Sequence, residues 1–211
     1  IPVAASELFQ FDFMVINPDK PNNPYNVKAK GSFDFMADKD LKKPLNPLFM
    51  RIVGMKVPVQ KDDPRPSTHC SELGEVETDA QPAQFSTHKI HKNMGSGVEQ
   101  IYHWMVPPGR HTYRYTLEPN VIANNVPFDT TIHYMNAHLH PHGEYIELRN
   151  ITTGEFLFKS VATNNAERNA LLNLTEFSSK DGIMFHRNHE YEMIAVYNNT
   201  TDHDIDAMAI M

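Results

Sequence analysis

The sequence predicts an all-β protein, a mostly antiparallel β-sandwich of jelly-roll type with little helix. Apolar and polar residues alternate with period two in many short runs, and Pro, Gly and Asn clusters separate those runs. No strand–helix alternation supports a parallel α/β sheet. The 211 residues are enough to bury a sizeable core, and 40% hydrophobic content with 12 Phe and 8 Tyr rules out global disorder.

The first strand signal is Phe9, Phe11, Phe13 and Val15 alternating with Gln10, Asp12 and Met14. Phe33 and Phe35 then alternate with Ser32 and Asp34, and strands are expected over 48–59 and 99–106. Pro107-Pro108-Gly109 makes a turn. In the strand that follows, 110–118, Tyr113, Tyr115 and Leu117 face one way and Arg114 and Thr116 the other. Arg110 and Arg114 read as a solvated outer face. Strands are expected next over 130–140 and 144–149 and, after a turn at Thr152-Thr153-Gly154, over 155–159. Two late strands fall at 190–197 and 205–211, and the only expected helix is a short one over 166–172. Residues 61–97, rich in Pro, Ser, Asp, Glu and Gly, read as a linker or a large surface loop. The chain thus reads as one domain, 1–211, in which 1–60 supply N-terminal strands, 61–97 the loop, and 98–211 the half that carries the chemistry.

A net charge of −7 without any block of Lys or Arg argues against nucleic acid or an anionic membrane as the main partner. No run of about 18 apolar residues is present, so no helical membrane span is expected. Cys70 is the only cysteine, which excludes an internal disulfide. Asn-x-Thr triplets begin at Asn150, Asn173, Asn198 and Asn199, a pattern frequent by chance in an Asn/Thr-rich chain.

The densest chemistry lies in His138-Leu139-His140-Pro141-His142-Gly143. Side chains i, i+2 and i+4 of a strand share a face about 6–7 Å apart, close enough for two imidazoles to reach one ion at about 2 Å each. Pro141 and Gly143 predict a strand end or bulge, with the rings near an accessible rim. Two histidines alone leave an ion mostly hydrated. The candidates for a further ligand are His142, His133, a carboxylate or a distant Met. His133 has the opposite parity and reads as a packing or surface residue. In the last strand Met208 shares the parity of Asp206 and Ile210, and Met211 that of Ala207 and Ala209.

Met105-Val106-Pro107-Pro108-Gly109, His138 to Gly143, Asn188-His189-Glu190-Tyr191 and Asp206-Ala207-Met208 follow one another along the chain. In that order, residues 102–211 resemble the C-terminal catalytic domain of the copper type II, ascorbate-dependent monooxygenases, the peptidylglycine alpha-hydroxylating and dopamine beta-monooxygenase group. Met105-Val106-Pro107-Pro108-Gly109 is similar to the family's IPPG. His138-Leu139-His140-Pro141-His142-Gly143 is similar to its HTHHLG, and Asn188-His189-Glu190-Tyr191 to its PGDY strand. Asp206-Ala207-Met208 is similar to its DEM. The resemblance implies one copper per chain held by His138, His140 and Met208, with His142 as a substitute or extra ligand. Imidazole accepts both copper states and a thioether favours Cu(I), so the set permits redox cycling. The family's second copper, held by three histidines beginning with a His-His pair, has no counterpart in residues 1–98, where no such pair occurs. His69, His88 and His91 are the residues from which a replacement would have to be built.

The expected function is therefore an extracytoplasmic copper-binding β-sandwich protein, periplasmic or secreted; Ile1 in place of an initiator Met and the family's habit carry that placement. The alternative is a copper-dependent monooxygenase taking O2 and a small-molecule or peptide substrate at an open coordination position. A non-metal jelly-roll binding module is the third reading. No catalytic side chain is identifiable from the sequence.

Overall fold

The computed structural model describes residues 50–59, 91–92, 97, 99–117 and 128–211, and, before residue 50, positions 28, 30–32, 34, 36–43 and 48. The chain divides into two compact units, Ile1–Arg51 and Ile52–Met211. Among the described residues of the first, the regular element is a 3-10 turn, Asp38–Asp40. The strand signals at Phe9 to Val15 and at Phe33 and Phe35 lie outside the described residues.

The second unit is built from strands: β1 Val57–Pro58, β2 His91–Lys92, β3 Glu99–Ile101, β4 His103–Val106, β5 Gly109–Thr116, β6 Thr130–Met135 and β7 His138–Leu139. They continue with β8 Gly143–Asn150, β9 Glu155–Asn164, β10 Leu171–Leu174, β11 Phe177–Phe185, β12 Tyr191–Asn199 and β13 Ile205–Ile210. Every pairing is antiparallel. The all-β expectation therefore holds, with no α-helix among the described residues. A five-stranded sheet runs β10-β9-β8-β12-β5; the others are β4-β13-β7, β11-β6 and β1-β3-β2.

The alternation explains the packing. On β12, Tyr191, Met193, Ala195 and Tyr197 point into the core, where they meet Ile146 and Leu148 of β8 and Tyr115 of β5. Trp104, Val106, Leu139, Ala207 and Ala209 enter the same core from β4, β7 and β13. Tyr191 stacks on Phe185 with ring centroids 3.7 Å apart, joining β12 to β11. The outer face of the five-stranded sheet carries the opposite parity. Arg110 pairs with Glu144 at 2.9 Å and Arg114 with Glu192 at 2.7 Å, both arginines being well exposed.

Several expectations need correction. The strand expected over 99–106 is two, β3 pairing with β1 and β2 and β4 with β13, and of the strand expected over 48–59 the described residues form only Val57–Pro58. Residues 166–172 form no helix: Asn165 organises a turn, donating its amide to Ala170 O and accepting Ala170 N–H on its side chain, and β10 starts at Leu171. Such a short segment nucleates a helix poorly, and an Asn side chain offers its backbone a competing bond. Strands β10 and β11 were not expected; their residues alternate weakly, and pairing to β9 and β6 makes them strands. The single strand expected over 130–140 is two, because the chain changes partner at Asn136 and Ala137: β6 pairs with β11 and β7 with β13.

Candidate metal centre

Strand β13 lies between β4 and β7. Its register sets Met208 opposite His103 and Asp206 opposite Met105 on one side, and Ile210 opposite His138 on the other. Directly opposed residues of an antiparallel pair project to the same face. Trp104, Val106, Leu139, Ala207 and Ala209 take the core face. The other face therefore carries His103, Asp206, Met208 and His138, with His140 continuing the parity of His138 just past the end of β7. Met208 is buried at 4% exposure yet stands outside the main core cluster, as this parity requires.

Asp206 is the hub. Its carboxylate lies 2.8 Å from Nδ1 of His140 and 3.3 Å from Nδ1 of His103. One nitrogen or oxygen from each of His103, His140 and Asp206 falls within 4.8 Å of the others, a group that can hold a metal ion. Bonds of about 2.1 Å to a tetrahedral ion place donors roughly 3.3–3.5 Å apart, so a small adjustment suffices. Side-chain exposure rises from 1% at His103 through 12% at His140 to 26% at Asp206. The group is thus closed at one end and reachable at the other.

The electrostatics favour a cation. Burial alone would raise the Asp206 carboxyl, but hydrogen bonds to His103 and His140 and their electrostatic influence hold it down, at about 2. It is a carboxylate at neutral pH and can only accept, so without a metal the imidazole nitrogens facing it carry the protons. A metal ion held there would take the place of those protons. Burial, with His140 and His103 nearby, pushes His138 down to about 4, leaving it a neutral imidazole, the ligating form. Its ring centroid is 5.4 Å from that of His140, and the His140 ring is 5.2 Å from His103.

Tyr197 fixes the strands that carry these groups. It is fully buried, and its hydroxyl accepts the N–H of His140 at 3.1 Å and of Met208 at 3.3 Å while donating to Met208 O at 2.5 Å. The phenol reaches across the core to the point where β7 leaves β13 and satisfies backbone groups that the ladder no longer pairs.

The structure brings His138, His140 and Met208 to one sheet face, and Met211 packs against the core as its parity predicted. His142 goes elsewhere. The expected strand end is a tight turn, closed by Gly143 N–H on His140 O at 3.2 Å, with Pro141 second and His142 third. His142 adopts φ 68°, the geometry of the third residue of a type II turn, and is tied through its backbone to Asn164, Asn198 and Arg168. The metal-holding group does not include it. His133 binds Ser179 O at 3.1 Å, away on the β6–β11 sheet. His69, His88 and Cys70 lie outside the described residues, and His91 falls in β2.

Sequence reasoning passed over His103 and Asp206 as ligands. The alternation His103-Trp104-Met105-Val106 held a signal, since two large apolar residues claim one face and leave His103 on the other. Asp206 shares the parity of Met208 for the same reason. What it could not show is that β4 and β13 are neighbours. Compared with family models, curated proteins and solved structures, the chain matches none.

Proposed function

We propose that this protein binds one copper ion on the β4–β13–β7 face, outside the reducing cytoplasm, as a copper-binding β-sandwich protein. The observation that carries the reading is the buried convergence of His103, His140 and Asp206, with Met208 and His138 on the same face. Imidazoles and a carboxylate serve Zn(II) or Cu(II) alike; the thioether of Met208 opposite His103 is the donor that singles out copper, because only Cu(I) gains much from sulfur. His138 and His140 remain the strand-borne pair of the site, and His103 and Asp206 join them. The extracytoplasmic placement and the resemblance of residues 102–211 to ascorbate-dependent monooxygenases rest on the sequence motifs alone.

The enzymatic alternative, O2 chemistry at an open coordination position, draws on those motifs and on the partial exposure of Asp206. The two are separable. Purified protein is loaded with Cu(II), Cu(I) or Zn(II), and stoichiometry is read by elemental analysis and affinity by chelator competition. One copper per chain with Cu(I) affinity lowered in Met208→Ala supports the reading. Retention of zinc over copper, with Met208→Ala indifferent, would sink it. Ascorbate-dependent O2 consumption with a peptide or phenethylamine substrate would favour the enzyme.

A further inference from the structure

Among the described residues, the non-glycine positions with positive φ are His142 at 68° and Arg168 at 56°. They touch each other: Nη2 of Arg168 donates to the His142 carbonyl at 3.2 Å. Each also has a buried nitrogen without a hydrogen-bond partner among the described residues, Nδ1 of His142 and Nε of Arg168. Left-handed backbone at residues with a Cβ and unsatisfied buried polar atoms both raise the energy of a fold, and both concentrate where a ligand is received.

Beside this pair is an open groove of about 590 Å³ on the five-stranded sheet, lined by Glu144, Tyr145, Lys159, Thr163, Asn164 and Arg168 among others. Its charges do not cancel evenly. Glu144 is matched by Arg110 at 2.9 Å, and Glu147 is in contact with Arg149. Glu167, on the adjoining turn, accepts from Asn165 at 3.1 Å. Lys159 is 4.0 Å from Glu147, the limit of an ion pair, and its ammonium rests 3.4 Å over the Tyr145 ring. Lys159 and Arg168 are the cations left to face the groove.

We propose that this groove binds a small oxyanion, a carboxylate or phosphate group, with Arg168 and Lys159 as its cationic contacts. A guanidinium presents N–H groups in a planar fork that suits two oxygens of one anion, while an ammonium contributes a compact charge without that geometry. The site belongs to the β8–β9 side of the sandwich and shares no residue with the β4–β13–β7 face, so it stands whether or not that face binds copper.

Arg168 offers an unusually clean test, because Arg168→Gly removes the guanidinium and relieves the positive φ together. The full chain, metal-free and isotope-labelled, is titrated separately with inorganic phosphate and with acetate up to concentrations on the order of 10 mM, following amide shifts. Saturable shifts confined to residues 143–145 and 159–170 are expected, and the tighter probe tells phosphate from carboxylate. Arg168→Gly should melt no lower than the parent and bind at least about tenfold more weakly, with Lys159→Met giving a smaller loss. Equal affinity in the parent and in Arg168→Gly overturns the proposal, as does the absence of saturable shifts with either probe. Should Arg168→Gly melt lower, Lys159→Met decides, and undiminished affinity there refutes it.

Discussion

The two sheet faces that point away from the core obey one alternation rule and use their charged residues in opposite ways. On the outer face of the five-stranded sheet, Arg114 and Glu192 meet at 2.7 Å with the arginine 58% exposed. Such a pair contributes about 0–1 kcal/mol, since water screens it and two long side chains are immobilised. On the β4–β13–β7 face, Asp206 meets two imidazoles, with His103 1% and His140 12% exposed. Burying charge there opposes folding by several kcal/mol before any pairing is counted. A scaffold does not need that arrangement, and a cation site does. Charge on a strand is therefore uninformative by itself; convergence under burial is what makes the β4–β13–β7 face a candidate site and the outer one a solvated surface.

The comparison breaks most visibly under ligand removal. His140→Ala and His103→Ala are each expected to lower metal affinity at least about 100-fold, because the donors left cannot outcompete water. Arg114→Ala should leave it unchanged. Chelator competition on the three variants checks this, and equal affinities would put the β4–β13–β7 face on the same footing as the outer one.

Next in size is Tyr197→Phe. Losing one buried hydroxyl strands the backbone groups of His140 and Met208 together, so roughly 2–4 kcal/mol of stability should go. Metal affinity should drop about 10–100-fold as the two ligand-bearing segments loosen. Urea unfolding with and without metal reads both; a stability loss without any affinity change would make Tyr197 a packing residue only.

Acid supplies a third, smaller effect on the metal-free protein. Burial first, then His140 and His103, depress His138 to about 4, so the folded state disfavours its protonation. The contribution is complete above the ordinary value of about 6.5 and is lost as pH falls through the window down to about 4. Its size is roughly 3 kcal/mol. Asp206, held at about 2, keeps its contribution through that window and gives it up only in stronger acid. Unfolding curves between pH 7 and 4 should flatten in His138→Leu, and an unchanged slope there would assign the acid sensitivity to another group.

The smallest effect is Arg114→Ala on stability, within about 1 kcal/mol and diminished by salt. A loss several times larger, indifferent to salt, would show that the outer face is more than a solvated surface.

How much was legible follows from the range of each signal. Tyr113, Tyr115 and Leu117 against Arg114 and Thr116 is a pattern one strand long, and it told core from surface without any neighbour. The Pro141 turn was equally local. His103 was in plain view but lacked a reason to matter until its strand had a partner, and the weakly alternating 177–185 became a strand only through β6.

By itself the sequence determined the all-β class, the two faces of each strongly patterned strand and the grouping of His138 with His140, because a period of two is a property of the backbone within one segment. The tertiary structure decided which strands lie side by side. Inserting β13 between β4 and β7 in a register that opposes Met208 to His103 joins segments about a hundred residues apart, and one residue of slip would turn Asp206 and Met208 into the core. That register is held by interstrand hydrogen bonds, by the fit of Ala207 and Ala209 against the core and by the reach of Tyr197, none of which exists until the sheets have met.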